Sequence, residues 1–210
     1  RAATSKIPPV KGPMVFAPFR RPDDRAPFLE FVGRAGLQVE IGFGRGHHLQ
    51  ALAQQSPTVP VLGFETKRQW CRKLARAAAR LGLTNARVVE GDARAFLSHL
   101  VPNNSVAAFH VLFPDPWWKR KHHKRRLFSC SFLRLLHDKL TPGGHLIAKT
   151  DVPAYADFVE TQLNNFNGFE LKGVNSADQI LSAVPKSHRE KKCRQYTIPV
   201  YSYRFEKRST

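Results

Sequence analysis

The strongest constraint on the fold is a rhythm. Five β-rich runs, at 37–41, 59–64, 86–89, 106–113 and 145–149, are spaced by helix-length segments whose apolar residues recur at three and four. Parallel strands need a crossover of about a dozen residues or more between them, and a helix is the usual crossover. The alternation therefore predicts an α/β domain of doubly wound type, a mostly parallel sheet with helices on both faces. Two later runs, 169–174 and 198–205, predict further strands beside that sheet.

The connecting segments carry their own signals. Trp70, Leu74, Ala77, Ala78 and Leu81 fall on one face of a predicted helix, with Arg68, Arg72, Lys73, Arg76 and Arg80 on the other and Gly82 as its stop. A second helix is predicted over 127–140, with Phe128, Phe132, Leu135, Leu136 and Leu140 inward. The breaker Thr141-Pro142-Gly143-Gly144 ends it. Asp151 reads as the N-cap of a further helix with Pro153 in its first turn. Pro8, Pro9, Pro13, Pro18, Pro22 and Pro27 among basic residues predict a flexible arm over 1–27, ahead of a single domain over 28–210.

Charge narrows the partners. The chain has 34 Lys and Arg against 16 Asp and Glu, a formal +18. A polyanion is the expected partner, because neutralising phosphates releases counterions, and the aromatics mixed into the basic tract favour nucleic acid over a membrane surface. No apolar run approaches the roughly 20 residues of a membrane span. Cys71, Cys130 and Cys193 are widely separated and form no C-x-x-C pair, so no disulfide framework and no metal site is expected. The first residues lack the apolar core of a secretory signal, and the expected location is cytoplasmic. Nothing points to an obligate protein partner, and a monomer or homodimer is expected.

A cofactor is suggested at 39–48, Val-Glu-Ile-Gly-Phe-Gly-Arg-Gly-His-His, where a strand turns on Gly42, Gly44 and Gly46 into a helix. Glycine lets backbone turn sharply and approach a ligand closely. The dinucleotide pattern G-x-G-x-x-G wants its third glycine at 47, where the chain has His47, and Glu40 beside the turn would repel a pyrophosphate. S-adenosylmethionine, with an adenosine, a sulfonium and a zwitterionic tail but no phosphate, fits better. Glu40 suits the amino-acid moiety, Glu65 the ribose hydroxyls and Asp92 the adenine amine. With Asp115, these are four acids at successive strand ends, where open α/β sheets bind their ligands.

Residues 113–126 read F-P-D-P-W-W-K-R-K-H-H-K-R-R: one acid between prolines, two tryptophans, then almost unbroken positive charge. This stretch resembles the signature F-P-D-P-W-x-K-x-x-H-x-K-R-R of the bacterial-type tRNA (guanine-N7)-methyltransferases. Glu40-Ile41-Gly42-Phe43-Gly44, Leu62-Gly63-Phe64-Glu65 and Thr150-Asp151 are similar to further motifs of that family. The resemblance implies a Rossmann-like class I methyltransferase fold with a seven-stranded sheet, S-adenosylmethionine as cofactor, and tRNA as substrate. The implied reaction is methyl transfer to N7 of a guanine, by family habit in the variable loop.

By the same resemblance Glu40, Glu65, Asp92 and Asp115 bind cofactor, and Asp115 is also the proposed catalytic acid. Lys119 and Asp151 contact substrate, and Lys121, His122, His123, Lys124, Arg125 and Arg126 contact RNA. The family's T-x-F-E-x-R is represented by Ser187-His188-Arg189-Glu190-Lys191-Lys192, which keeps a hydroxyl at Ser187 and the acid Glu190. Arg189 replaces the aromatic. His47 and His48 are read as surface or RNA-facing, like His122 and His123. Two other functions stay open at this level: a non-catalytic RNA-binding protein on a methyltransferase scaffold, and a methyltransferase for another base or a small molecule.

Overall fold

A computed structural model describes residues 15–16 and 25–208. Its strands are β1 (Val15–Phe16), β2 (Leu37–Ile41), β3 (Val61–Glu65), β4 (Ala86–Glu90), β5 (Val106–Leu112), β6 (Leu140–Thr150), β7 (Phe169–Val174) and β8 (Tyr201–Lys207). They form one sheet in the order β1-β4-β3-β2-β5-β6-β8-β7, parallel except where β8 pairs antiparallel with both β6 and β7. The seven expected strands are all present. The eighth, β1, is a two-residue strand within the expected arm; the rest of 1–24 lies outside the described residues. Helix α1 (Arg25–Val32) already includes Pro27.

The remaining helices are α2 (His47–Gln55), α3 (Arg68–Arg80), α4 (Ala93–Leu100), α5 (Cys130–Lys139), α6 (Pro153–Phe166), α7 (Gln179–Ala183) and α8 (His188–Gln195). Strand alternation sorts the core into two layers. Val39, Ile41, Leu62 and Phe64 pack with Phe31 of α1, Leu97 of α4, Leu136 of α5 and Tyr155 of α6. Val61, Ala86 and Val88 face the other way, against Leu49 and Leu52 of α2 and Leu74 of α3. Helices therefore cover both faces, and β3 and β4 are accordingly apolar on both sides.

Helix α3 buries Cys71, Leu74, Ala75 and Ala78, the i, i+3, i+4, i+7 stripe, and leaves Trp70 half-buried. Leu81 lies just past the helix and is 46% exposed, contrary to expectation, because leaving the helix carries it off the stripe. In α5, Leu133 takes the buried place expected of Leu135, and Phe128 is buried in the approach to the helix. The breaker at 141–144 does end α5. Its residues belong to β6 as an irregularity, since Val106 pairs with Leu140 and Ala108 with His145.

Strand order reverses between β2 and β5, both of which run parallel and lie side by side at the centre of the sheet. Loops leaving the carboxyl ends of these two strands part to opposite sides. The crevice they leave is where ligands of open α/β sheets bind.

Candidate active site

A cavity of about 440 Å³ opens at that crevice. Its size is within the ordinary range of cofactor sites. It is lined from β2 by Glu40, Gly42, Phe43, Gly44 and Arg45, from β5 by the segment Leu112 to Pro116 and Trp118, from β6 by Asp151, and from the start of α8 by Ser187, His188 and Arg189. Residues separated by well over a hundred positions thus meet at one place, Glu40, Asp115, Asp151 and Ser187 among them.

Glu40 is set by strand periodicity. Gln38 and Glu40 point to the α2 side of β2, so the carboxyl is carried into a packed layer and is 2% exposed. Burial pushes its pKa up from 4.5 to about 8, with the nearby Glu65 charge adding to the rise and a hydrogen bond from the Leu49 backbone opposing it. One oxygen, Oε2, is buried without a hydrogen-bond partner. Such an orphaned acceptor on the wall of a cavity suits a cationic or N–H-bearing ligand.

The glycines divide by role. Gly42 and Gly44 have φ of 74° and 53°, and a Cβ built at either would meet nothing within 4 Å, so their backbone borders open space. Gly46, also left-handed at 73°, is different: a Cβ there would lie 2.6 Å from the Leu74 side chain. It serves the close packing of α2 on α3 and does not line the cavity. Glu65 holds the turn from the next strand, accepting from Gly44 N–H at 2.9 Å and from Lys67 N–H at 2.9 Å.

Asp92 is occupied elsewhere. Its carboxylate accepts from Arg94 N–H at 3.0 Å, capping α4, and pairs with the Arg94 side chain at 2.5 Å, which lowers its pKa. It does not line the cavity.

The loop after β5 is held under backbone strain. Phe113 and Trp117 have φ of 53° and 47°, a region costly to side chains with a Cβ, and they bracket Pro114-Asp115-Pro116. Asp115 is exposed, and its Oδ1 accepts from Trp117 N–H at 3.1 Å. Trp117 packs on its own loop, with the His122 ring at 5.7 Å and the Arg125 guanidinium at 5.0 Å. Trp118 turns outward at the cavity mouth and is 68% exposed.

The basic tract is a 3-10 turn over Arg120–Arg125. Lys119, Lys121, His123, Lys124 and Arg125 are exposed, and His122 is half-buried. Arg126 is an anchor: its Nε donates to Pro116 O at 3.0 Å, and its guanidinium lies over Phe158 and Tyr155 of α6 at 4.8 and 5.6 Å. The loop that presents Asp115 is thereby fastened to α6.

Asp151 does not cap α6. Thr150 Oγ1 accepts from Val152 N–H at 3.2 Å, and Asp151 instead pairs with Arg189, whose Nε donates to Oδ2 at 3.0 Å. Ser187 and Glu190 form the start of α8, where Ser187 Oγ accepts from Glu190 N–H at 3.1 Å. The order Ser-x-x-Glu is a capping-box signal legible in the sequence, and it locates this helix. Glu190 is buried and pairs with Lys149 of β6 at 3.1 Å, behind the cavity wall and outside the cavity itself.

His48 overturns its surface assignment. It is 1% exposed; its Nδ1 donates to Pro185 O at 2.6 Å, and its Nε2 lies 3.3 Å from His110 Nδ1. Burial drives its pKa down to about 4. At the second position of α2 its side chain turns inward beside Leu49, and it fastens the loop ahead of α8 to the helix that follows the glycine turn. His47 is exposed.

Among the described residues no group of three His, Cys, Asp or Glu is arranged to hold a metal, and no helix is long and apolar enough to cross a membrane. Cys71 and Cys193 are buried free thiols and Cys130 is an exposed one.

Residues 34–203 match a family described as "Putative methyltransferase". Similar curated proteins are each named tRNA (guanine-N(7)-)-methyltransferase. That of Nitrosococcus oceani is 36% identical over 80% of this chain and 70% of its own. That of Myxococcus xanthus is 41% identical over 59% and 60%, and that of Methylococcus capsulatus 38% over 76% and 68%. Against the Myxococcus xanthus protein the chain thus spans less than two thirds of the relative's length. The fold is like that of a solved 16S rRNA methyltransferase, KamB, with a TM-score of 0.65 at 18% identity over 88% of this chain and 94% of that one. It is also like a SAM-dependent methyltransferase from Aquifex aeolicus, with a TM-score of 0.57 at 14% identity over 88% and 90%.

Proposed function

From its place in the tRNA (guanine-N7-)-methyltransferase family, to which this chain belongs, we propose that it methylates N7 of a guanosine in tRNA, in the variable loop, and does so in the cytoplasm. One observation carries the reading: a buried acid with an unpartnered oxygen and an exposed acid on a strained loop, Glu40 and Asp115, border one cavity at the switch point of the sheet.

The cavity suits S-adenosylmethionine. Gly42 and Gly44 present bare backbone, Glu40 offers its free oxygen to the cationic amino-acid end, and Glu65 keeps acceptor capacity for hydroxyls beside the turn it holds. Asp92 would have to exchange Arg94 for the adenine amine. When bound, the cofactor supplies a methyl group on a sulfonium.

The protein's part is placement and charge. Guanine N7 carries a lone pair and no proton, so no side chain need act as a strong base. As positive charge moves onto the purine, an acid on its Watson-Crick edge binds it more strongly than the neutral base, which favours the transition state. Asp115 suits this better than Asp151, because Arg189 already neutralises Asp151 whereas Asp115 has a backbone N–H. Trp118 offers an exposed ring beside the cavity on which a base can stack. Lys119 and the 121–125 cations supply phosphate contacts, while Arg126 keeps the loop in place.

Incubation with methyl-labelled cofactor and unmodified tRNA, followed by nucleoside analysis, should yield 7-methylguanosine. A different methylated nucleoside, or tRNA binding with no calorimetric signal for the cofactor, overturns the proposal. Asp115→Asn should lower turnover by roughly 10²-fold with little change in tRNA affinity.

A further inference from the structure

Arg45 and His188 line the same cavity on another side, and a basic cluster that the proposed reaction does not use extends outward from them. Arg45 follows the glycine turn and His47 begins α2; His188 begins α8 and meets the His47 ring edge-on, with centroids 5.2 Å apart. Burial, and after it the nearby charges of Arg45 and Lys191, which is exposed on α8, disfavour protonation of either histidine. Arg45 lies over the Trp70 ring of α3 at 5.5 Å, and Lys73 lies over that same ring at 4.8 Å. Trp70 so joins the cluster to the outer face of α3, where Arg72, Arg76 and Arg80 are exposed. Among the described residues, neither Arg45, Lys73 nor Lys191 is in an ion pair with an acid.

Cations gathered this closely repel one another, and a polyanion is the partner that turns the repulsion to advantage. Their place adds direction. The 119–126 tract is fastened to α6, on the sheet face of Tyr155, whereas Arg45 and His47 adjoin α2, on the opposite face with Leu49. A strand whose target nucleotide enters the cavity must leave on two flanks, and the 119–126 tract can hold one of them.

We propose that Arg45, His47, Lys73, His188 and Lys191 form a second phosphate-binding track, across the cavity from 119–126, which grips the RNA backbone on the other flank of the target nucleotide. The proposal rests on the RNA substrate inferred above.

The test is tRNA binding over a range of salt concentrations, with the full chain and with Lys73→Gln/Lys191→Gln. Loss of two phosphate contacts should flatten the dependence of log affinity on log salt by about 1.4 to 1.8. Affinity for S-adenosylmethionine and the melting temperature should not change. Should the pair of substitutions lower the melting temperature, Lys191→Gln alone, at a side chain that stacks on no ring, should still flatten the slope by about 0.7 to 0.9. A slope equal to that of the unaltered chain overturns the track. If 7-methylguanosine forms and the slope is unchanged, the track fails alone; if the slope falls but no 7-methylguanosine forms, the track stands and the reaction fails.

Discussion

Glu40 lies in β2 with its side chain turned toward α2, and its carboxyl holds a proton up to about pH 8. The unfolded chain loses that proton near 4.5. Between these values the folded state binds the extra proton, so this group's contribution to stability falls as pH rises through the window and levels off above it. Glu40→Gln should abolish that decline and raise the melting temperature at pH 8.5 by a few degrees, 1 kcal/mol being worth roughly 2–4 °C in a chain of this length. The same substitution should weaken S-adenosylmethionine binding. Melting at pH 5 and 8.5 with cofactor titration checks both, and a variant that keeps the decline would contradict the assignment. That Glu40 and Asp115 share a cavity was readable in the sequence, because each is an acid at a strand end. That Gly46 packs against Leu74 and Asp92 caps α4 was not, since a cap and a ligand contact use the same residue type at the same place.

The elements that shape the cavity are joined by a few buried polar contacts. Lys149 of β6 and Glu190 of α8 are paired at 3.1 Å with side chains 3% and 8% exposed, and His48 of α2 holds Pro185 just ahead of that helix. Removing one member of a buried pair leaves an uncompensated charge. Lys149→Met should therefore cost about 3–5 kcal/mol, and adding Glu190→Leu should recover much of it. Urea unfolding of the single and double variants measures this; equal losses in both would show that the charge is not what matters. The helices α3 and α5 were legible from their periodicity. Helix α8 carries little periodicity, being almost wholly polar, and its capping Ser187 and Glu190 are the local signal for it. Its docking, with Arg189 on Asp151, depends on contacts about 40 positions apart.

For the whole molecule, three buried groups set opposing pH limbs. Burial lowers His48 to about 4 and holds His110 well below its usual value, so both fold as neutral rings. Their stabilisation is present above pH 6.5 and is lost as pH falls toward 4, against the Glu40 decline that runs from 4.5 to 8. Burial also holds His47, His137, His145 and His188 low, so they add to the acid limb, while the raised Glu40 carboxyl opposes them. Unfolding free energies from pH 4.5 to 8.5 should therefore pass through a maximum between pH 6.5 and 8, its alkaline limb vanishing in Glu40→Gln. A steady rise to pH 8.5 would contradict it. The sequence by itself determined the α/β sheet, the cofactor turn and the strand-end acids, because periodicity, glycine and charge act within a few residues of one another. It also determined the net charge of +18, which needs no fold. Only the tertiary structure decided which acids face the cavity, that Arg126 is an anchor, that His48 is buried, and that Arg45 of the glycine turn and Lys73 of α3 meet over Trp70. Those outcomes depend on how strands order and helices pack, which brings together side chains that no local pattern connects.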